Sequence, residues 1–139
     1  MKDMDSMSLN PTIKPFVNAV LGRKAIQVVI LDVRRLTSVA DAFIICSGRS
    51  NRQVTAIADF VQRDLKKKGK KPINVEGKKE GHWVLMDYGD VIIHIFYESL
   101  RNFYDLEGLW IDAGRLSIAS LPETENNNAT FGVQETRNE

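Results

Sequence analysis

The sequence predicts an α/β domain in which a mixed β-sheet is packed with helices. Three observations carry that prediction. Gln27–Val33 and Asp41–Cys46 are short apolar runs rich in β-branched residues and closed by polar ones, as strands buried on both faces read. Val54, Ile57, Ala58, Val61 and Leu65 hold one apolar stripe at helical spacing. His82–Tyr97 is a pair of alternating apolar runs joined at a turn sequence, the pattern of a hairpin.

The elements follow in chain order. Pro15 suits a first helical turn, and Phe16, Ala19 and Val20 recur at i, i+3 and i+4 before Gly22 ends a short helix. The two strands come next. Ser50, with Gln53 three residues on, has capping-box spacing and opens the long helix, which Gly69 closes. Pro72 precedes a short strand, Ile73–Glu76, and Gly77–Gly81 is a polar turn. With a two-residue loop at Tyr88-Gly89, the hairpin register sets Asp87 opposite Asp90, Leu85 opposite Ile92 and Trp83 opposite His94 on one face. Val84, Met86, Val91, Ile93 and Ile95 fill the other, which is the expected core face. Ser99 can cap a last helix through Leu100, Phe103 and Leu106, stopped near Gly108, with Leu109-Trp110 as a closing segment. Connections this short do not fit a doubly wound sheet.

Length and composition bound the function. At 139 residues with 43% hydrophobic and 27% charged, the chain suits one globular domain. Its single cysteine, Cys46, excludes an intramolecular disulfide framework. The apolar runs are far shorter than the ~20 residues of a membrane span. Met1–Ser8 carries Asp3 and Asp5 and lacks the character of a targeting leader, so a cytoplasmic protein is expected. Both ends are poor in large apolar groups, so residues 1–11 are expected to be a flexible N-terminus and 117–139 a flexible acidic tail, around a domain at 12–116. That domain holds 17 Lys/Arg against 12 Asp/Glu, whereas the tail holds four Glu and one Arg. A mildly basic body permits a nucleic-acid-rich partner but falls short of a dedicated nucleic-acid binder.

The hairpin face of Trp83, Leu85, Asp87, Asp90, Ile92 and His94 is the sharpest functional signal. An aromatic and an aliphatic residue beside carboxylates that repel one another form a surface suited to an Arg- or Lys-bearing partner. The plainer reading is that helices cover this face and Trp83 is core. Other constellations are weaker. Lys66, Lys67, Lys68, Lys70 and Lys71 cluster at a helix C-terminus, where lysines complement the helix dipole and can also meet a phosphate backbone. Cys46 with His82 or His94 could form a nucleophile–base pair, although a cysteine in an apolar strand is usually inert. Two histidines and one cysteine fall short of a zinc site, so no metal or other cofactor is expected. Ser47-Gly48-Arg49-Ser50 is a strand-to-helix turn able to seat a phosphate, but it lacks a P-loop pattern. Asp87 and Asp90, split by Tyr88-Gly89, do not project together as metal-binding acids do.

Several collinear segments resemble the ribosomal silencing factor family, also called Iojap-like. They are Ala40–Val54, Glu76-Gly77, Trp83–Phe96 and Arg101–Trp110, in order between about Phe16 and Ala113. The resemblance implies a nucleotidyltransferase-like single domain without that fold's metal-binding acids. It implies a non-enzymatic repressor of translation that binds the large ribosomal subunit through its fourteenth protein. The bound factor would stop the small subunit from joining during starvation or stationary phase, and the free protein would be a homodimer. Carried over by position, the family's ribosome-facing tryptophan, aliphatic residue and acid fall on Trp83, Leu85 and Asp87, with Asp90, His94 and Tyr104 as neighbours in support. The lysine run would add a peripheral contact to ribosomal RNA. Gly22-Arg23-Lys24-Ala25 departs from the family's acidic segment, and the tail after Leu116 matches nothing in the resemblance. A nucleotidyltransferase-type enzyme and a general RNA-binding module are the alternatives. Nucleotide turnover and the salt dependence of RNA binding respectively would expose them.

Overall fold

The computed structural model describes residues 8–117. The expected acidic tail lies outside the described residues except for Ser117, as do residues 1–7 of the expected flexible N-terminus, whereas residues 8–11 are described and lead into the first helix. The elements are α1 (Asn10–Leu21), β1 (Ile26–Asp32), β2 (Ala42–Gly48), α2 (Asn51–Lys67), β3 (Asn74–Glu76), β4 (Trp83–Asp87), β5 (Val91–Tyr97), α3 (Glu98–Tyr104), α4 (Leu106–Leu109) and β6 (Gly114–Leu116). One six-stranded sheet runs in the order β3-β4-β5-β2-β1-β6. Its central pair, β2 with β5, is parallel and every other pair is antiparallel, so the mixed α/β architecture is as expected.

Alternation along the strands divides the side chains between two clusters. Ala42, Ile44, Cys46, Val84, Met86, Ile93 and Ile95 project onto one face, where α1 and α2 cover them completely. From α2 come Val54, Ile57, Ala58, Val61 and Leu65, the stripe expected from spacing. Ser50 caps this helix by accepting from the Gln53 amide at 3.0 Å. The second face gathers Leu31, Val33, Phe43, Ile45, Ile92, Phe96 and Leu106 under the short α3 and α4.

Four expectations are corrected. Helix α1 starts at Asn10, earlier than the expected boundary, with Pro11 in its first turn and Pro15 inside it. Leu9 and Ile13 are buried, extending the stripe of Phe16, Val17 and Val20 by a further turn and drawing the chain into helix before Pro15. The hairpin register is moved by two residues: Trp83 faces Phe96, Leu85 faces His94 and Asp87 faces Ile92. The loop is Gly89-Asp90, closed by the Tyr88 amide donating to the Val91 carbonyl at 2.9 Å. Gly89, at φ 92°, takes the positive-φ position that hairpin turns demand. Asp90 therefore sits exposed in the turn and does not oppose Asp87. The last helix is broken in two at Asp105, whose φ is 47°, so Leu106 turns inward while Phe103 stays 78% exposed. Finally, β6 adds an unforeseen edge strand on β1, pairing Ile30–Asp32 with Leu116–Gly114.

Candidate aromatic docking face

The residues of β4 build the site, because period-two alternation sends Val84 and Met86 into the closed core and leaves Trp83, Leu85 and Asp87 half-buried on the other side. The Trp83 ring stacks on Phe96, with centroids 5.0 Å apart and planes 29° from parallel. Tyr104, delivered by the end of α3 and 38% exposed, lies 4.9 Å from Trp83, with Phe103 5.3 Å beyond it. The result is a contiguous aromatic strip with an aliphatic and an acid along the same strand. Solvated apolar area of this kind is the usual mark of a recognition surface.

Polar groups are woven into the strip. The Trp83 Nε1–H donates to His94 Nδ1 at 3.1 Å, and His94 also packs T-shaped on Phe43 at 5.2 Å. Burial pushes the His94 imidazole down to about 4, so it is neutral near pH 7. One Asp87 oxygen accepts from the Gly89 amide at 2.8 Å, fixing the carboxylate at the turn. Beside β4, just past the end of β3, Gly77 at φ 90° lies so close that any Cβ there would collide with the Trp83 carbonyl.

Of the expected site residues, the structure brings together Trp83, Leu85, Asp87, His94 and Tyr104. His94 is beneath the surface at 5% exposure, and Asp90 stands apart in the turn. The lysine run is at the other side, at the end of α2. Lys66, Lys67 and Lys71 are exposed, Lys68 pairs with Asp64 at 3.2 Å, and Lys70 Nζ lies 5.6 Å from the Phe16 ring centroid.

A Cys46–His94 nucleophile–base pair does not assemble. Cys46 and His94 occupy opposite faces of the sheet, and burial drives the Cys46 thiol up to about 12. Ser50 and Gln53 serve as the helix cap at the strand-to-helix turn, the Arg49 amide donating to Gln53 Oε1 at 2.7 Å. Among the described residues no group of three or more His, Cys, Asp or Glu could hold a metal. No helix among them is long and apolar enough to cross a membrane.

Arg101 is a residue that sequence reasoning missed. Its buried guanidinium grips Glu107 with two bonds of 3.0 Å and donates to the Gln27 carbonyl at 2.7 Å and Ser47 Oγ at 2.9 Å. Those bonds hold Glu107 below the ordinary carboxylate range. Gln27 has φ 54° at an irregularity in β1, which turns its carbonyl toward the arginine. This ties α3 and α4 to the top of the sheet and so places Tyr104 over Trp83.

A family model described as "ribosomal silencing factor during starvation" matches residues 6–139, a span that includes the tail left out of the earlier resemblance. The ribosomal silencing factor of Halalkalibacterium halodurans is 41% identical over 115 residues, 83% of this chain and 98% of its own. A crystal structure of a Chromobacterium violaceum protein superposes with a TM-score of 0.71 at 37% identity, over 80% of this chain and 92% of that one. A Mus musculus protein named for mitochondrial assembly of the ribosomal large subunit is 29% identical over 92 residues, 60% of this chain and 40% of its own. These matches place the chain among ribosome-associated factors that silence translation. It belongs to the ribosomal silencing factor family.

Proposed function

We propose that the chain binds the large ribosomal subunit through that subunit's fourteenth protein and, while bound, blocks joining of the small subunit, repressing translation under starvation or in stationary phase. The half-open strip of Trp83, Leu85 and Tyr104 ending at the Asp87 carboxylate is the observation that carries this reading. A half-buried tryptophan on a rigid strand loses little freedom on docking, and removing it from water contributes most where the partner closes around it. Trp83 and Leu85 are the anchors, Asp87 meets a basic residue, and Tyr104 flanks the tryptophan. Asp90, exposed one turn away, adds charge to the rim. The factor works in the cytoplasm by steric exclusion rather than by catalysis, and is a homodimer when free. The family membership and the mouse relative's name support the large subunit as target.

Lys66, Lys67 and Lys71 supply a peripheral contact to ribosomal RNA, supported by their exposure at one helix end. Co-sedimentation with separated subunits, followed by addition of the complementary subunit, tests both. Wild-type protein is expected to pellet with the large subunit and reduce joined ribosomes. Trp83→Ala is expected to lose about 2 kcal/mol or more of binding, roughly thirtyfold. Glutamine at the three lysines should only weaken binding and flatten its salt dependence. Equal binding by Trp83→Ala and wild type would overturn the site assignment.

A further inference from the structure

We propose that His94 is a positioning residue, holding the Trp83 indole so that its one polar atom is satisfied inside the protein and only apolar ring meets the partner. The inference rests on the docking role of the Trp83 face given above. At 5% exposure His94 offers a partner almost no surface of its own. Its Nδ1 accepts the indole Nε1–H at 3.1 Å. A neutral imidazole nitrogen that accepts carries no proton, so the proton resides on Nε2. That Nε2 is buried and has no hydrogen-bond partner.

An orphaned buried donor is costly, and a leucine or phenylalanine would occupy the same cluster without it. Packing alone therefore does not account for an imidazole at position 94. The acceptor it offers to Trp83 does. Phe43 holds the imidazole in T-shaped contact, and Phe96 supports the indole with a stacked ring. The tryptophan is thus oriented by one directional bond and the Phe96 ring before any partner arrives, which lowers the ordering cost of docking.

The partner's chemistry follows. With Nε1–H already matched, the pocket that receives Trp83 needs no hydrogen-bond acceptor. It is an apolar recess on a protein, lined for the indole edge and Leu85, with its one charged requirement a basic side chain set for Asp87. A pocket with an acceptor at the indole would leave that acceptor unpaired.

The test compares His94→Leu, His94→Asn and Trp83→Ala, reading affinity for isolated large ribosomal subunits and hydrogen exchange of the ¹⁵N-labelled indole N–H. The wild-type Trp83 indole is expected to exchange slowly. His94→Leu should speed that exchange and weaken binding about tenfold. His94→Asn, whose side-chain oxygen can take the place of Nδ1, should restore both. Wild-type affinity in His94→Leu, with binding lost in Trp83→Ala, would overturn the positioning role and leave the docking face standing. Wild-type binding by Trp83→Ala would overturn the docking face itself, and the positioning role with it. Should His94→Leu fail to fold, the wild-type protein still decides: an indole N–H that exchanges as fast as an exposed one overturns the proposal.

Discussion

The two faces of the sheet are made by alternate residues of the same strands, yet they are finished differently. On the side of α1 and α2, Ile44, Cys46, Met86, Ile93 and Ile95 are fully buried among aliphatic neighbours. On the side of α3 and α4, the neighbours are Trp83, Phe96, His94, Phe43 and Tyr104, and the cover is short enough to leave Phe103, Leu109 and Ile111 at 78%, 75% and 73% exposure. The closed face shows what stability alone selects, namely dense and mainly aliphatic packing, with the Tyr88 hydroxyl as a buried polar exception at its edge. The open face keeps an indole N–H, an imidazole and a carboxylate in an apolar setting, which packing does not require.

Substitutions should therefore separate the two faces. The largest effect is expected for Ile44→Ala on the closed face, which removes buried methylenes where relaxation is hindered on both sides. It should lower unfolding free energy by about 4 kcal/mol in urea titrations, while the fraction that remains folded binds ribosomes normally. A similar fall in stability from Leu85→Ala would erase the distinction between the faces.

Acid should act chiefly through the open face. His94 has its folded value lowered from 6.5 to about 4 by burial. Between those values the unfolded chain takes up a proton that the native state refuses. Stability is then complete above about pH 6.5 and is lost as pH falls toward 4, by about 3 kcal/mol in all. Urea midpoints measured across that window should show the loss, and His94→Leu should lack it. The lowered value of Glu107 adds a loss of its own, which sets in as pH falls through the ordinary carboxylate value of 4.5.

The smallest of the three effects is expected for Asp87→Asn. The amide oxygen can still accept from the Gly89 N–H, so the turn and the melting temperature should hold. Affinity for the large subunit should fall by about 1 kcal/mol and lose part of its salt dependence, as expected for a charge near the rim of an interface. An unchanged salt slope would remove Asp87 from the contact.

Much of this comparison was legible in the sequence because periodicity is local. The α2 stripe, the two central strands and the division of β4 between Val84 and Met86 on one side and Trp83, Leu85 and Asp87 on the other all follow from spacing. The hairpin register was not legible, since loops at Tyr88-Gly89 and at Gly89-Asp90 both place a glycine in a two-residue turn. A slip of two residues preserves which face each side chain takes, so the sidedness of β4 is unaffected while the Asp87–Asp90 pairing is lost. Arg101 was hidden because its partners Gln27 and Ser47 lie 74 and 54 residues away, and no local pattern announces a buried arginine. The break at Asp105 was hidden too. A left-handed non-glycine residue looks like any other member of a helix until its neighbours show that Leu106 must turn inward.

The contact between Gly77 and the Trp83 carbonyl bears on how lesions in this molecule should be sorted. The glycine directly follows β3, the strand paired edge to edge with β4, and its missing side chain is what lets the chain lie against the Trp83 carbonyl. A methyl group there would run into the Trp83 carbonyl and reach Val84, so the start of β4 would have to shift. A genetic screen for loss of ribosome silencing would then recover residue 77 among the contact residues. Recognition would then be lost from a position that itself recognises nothing.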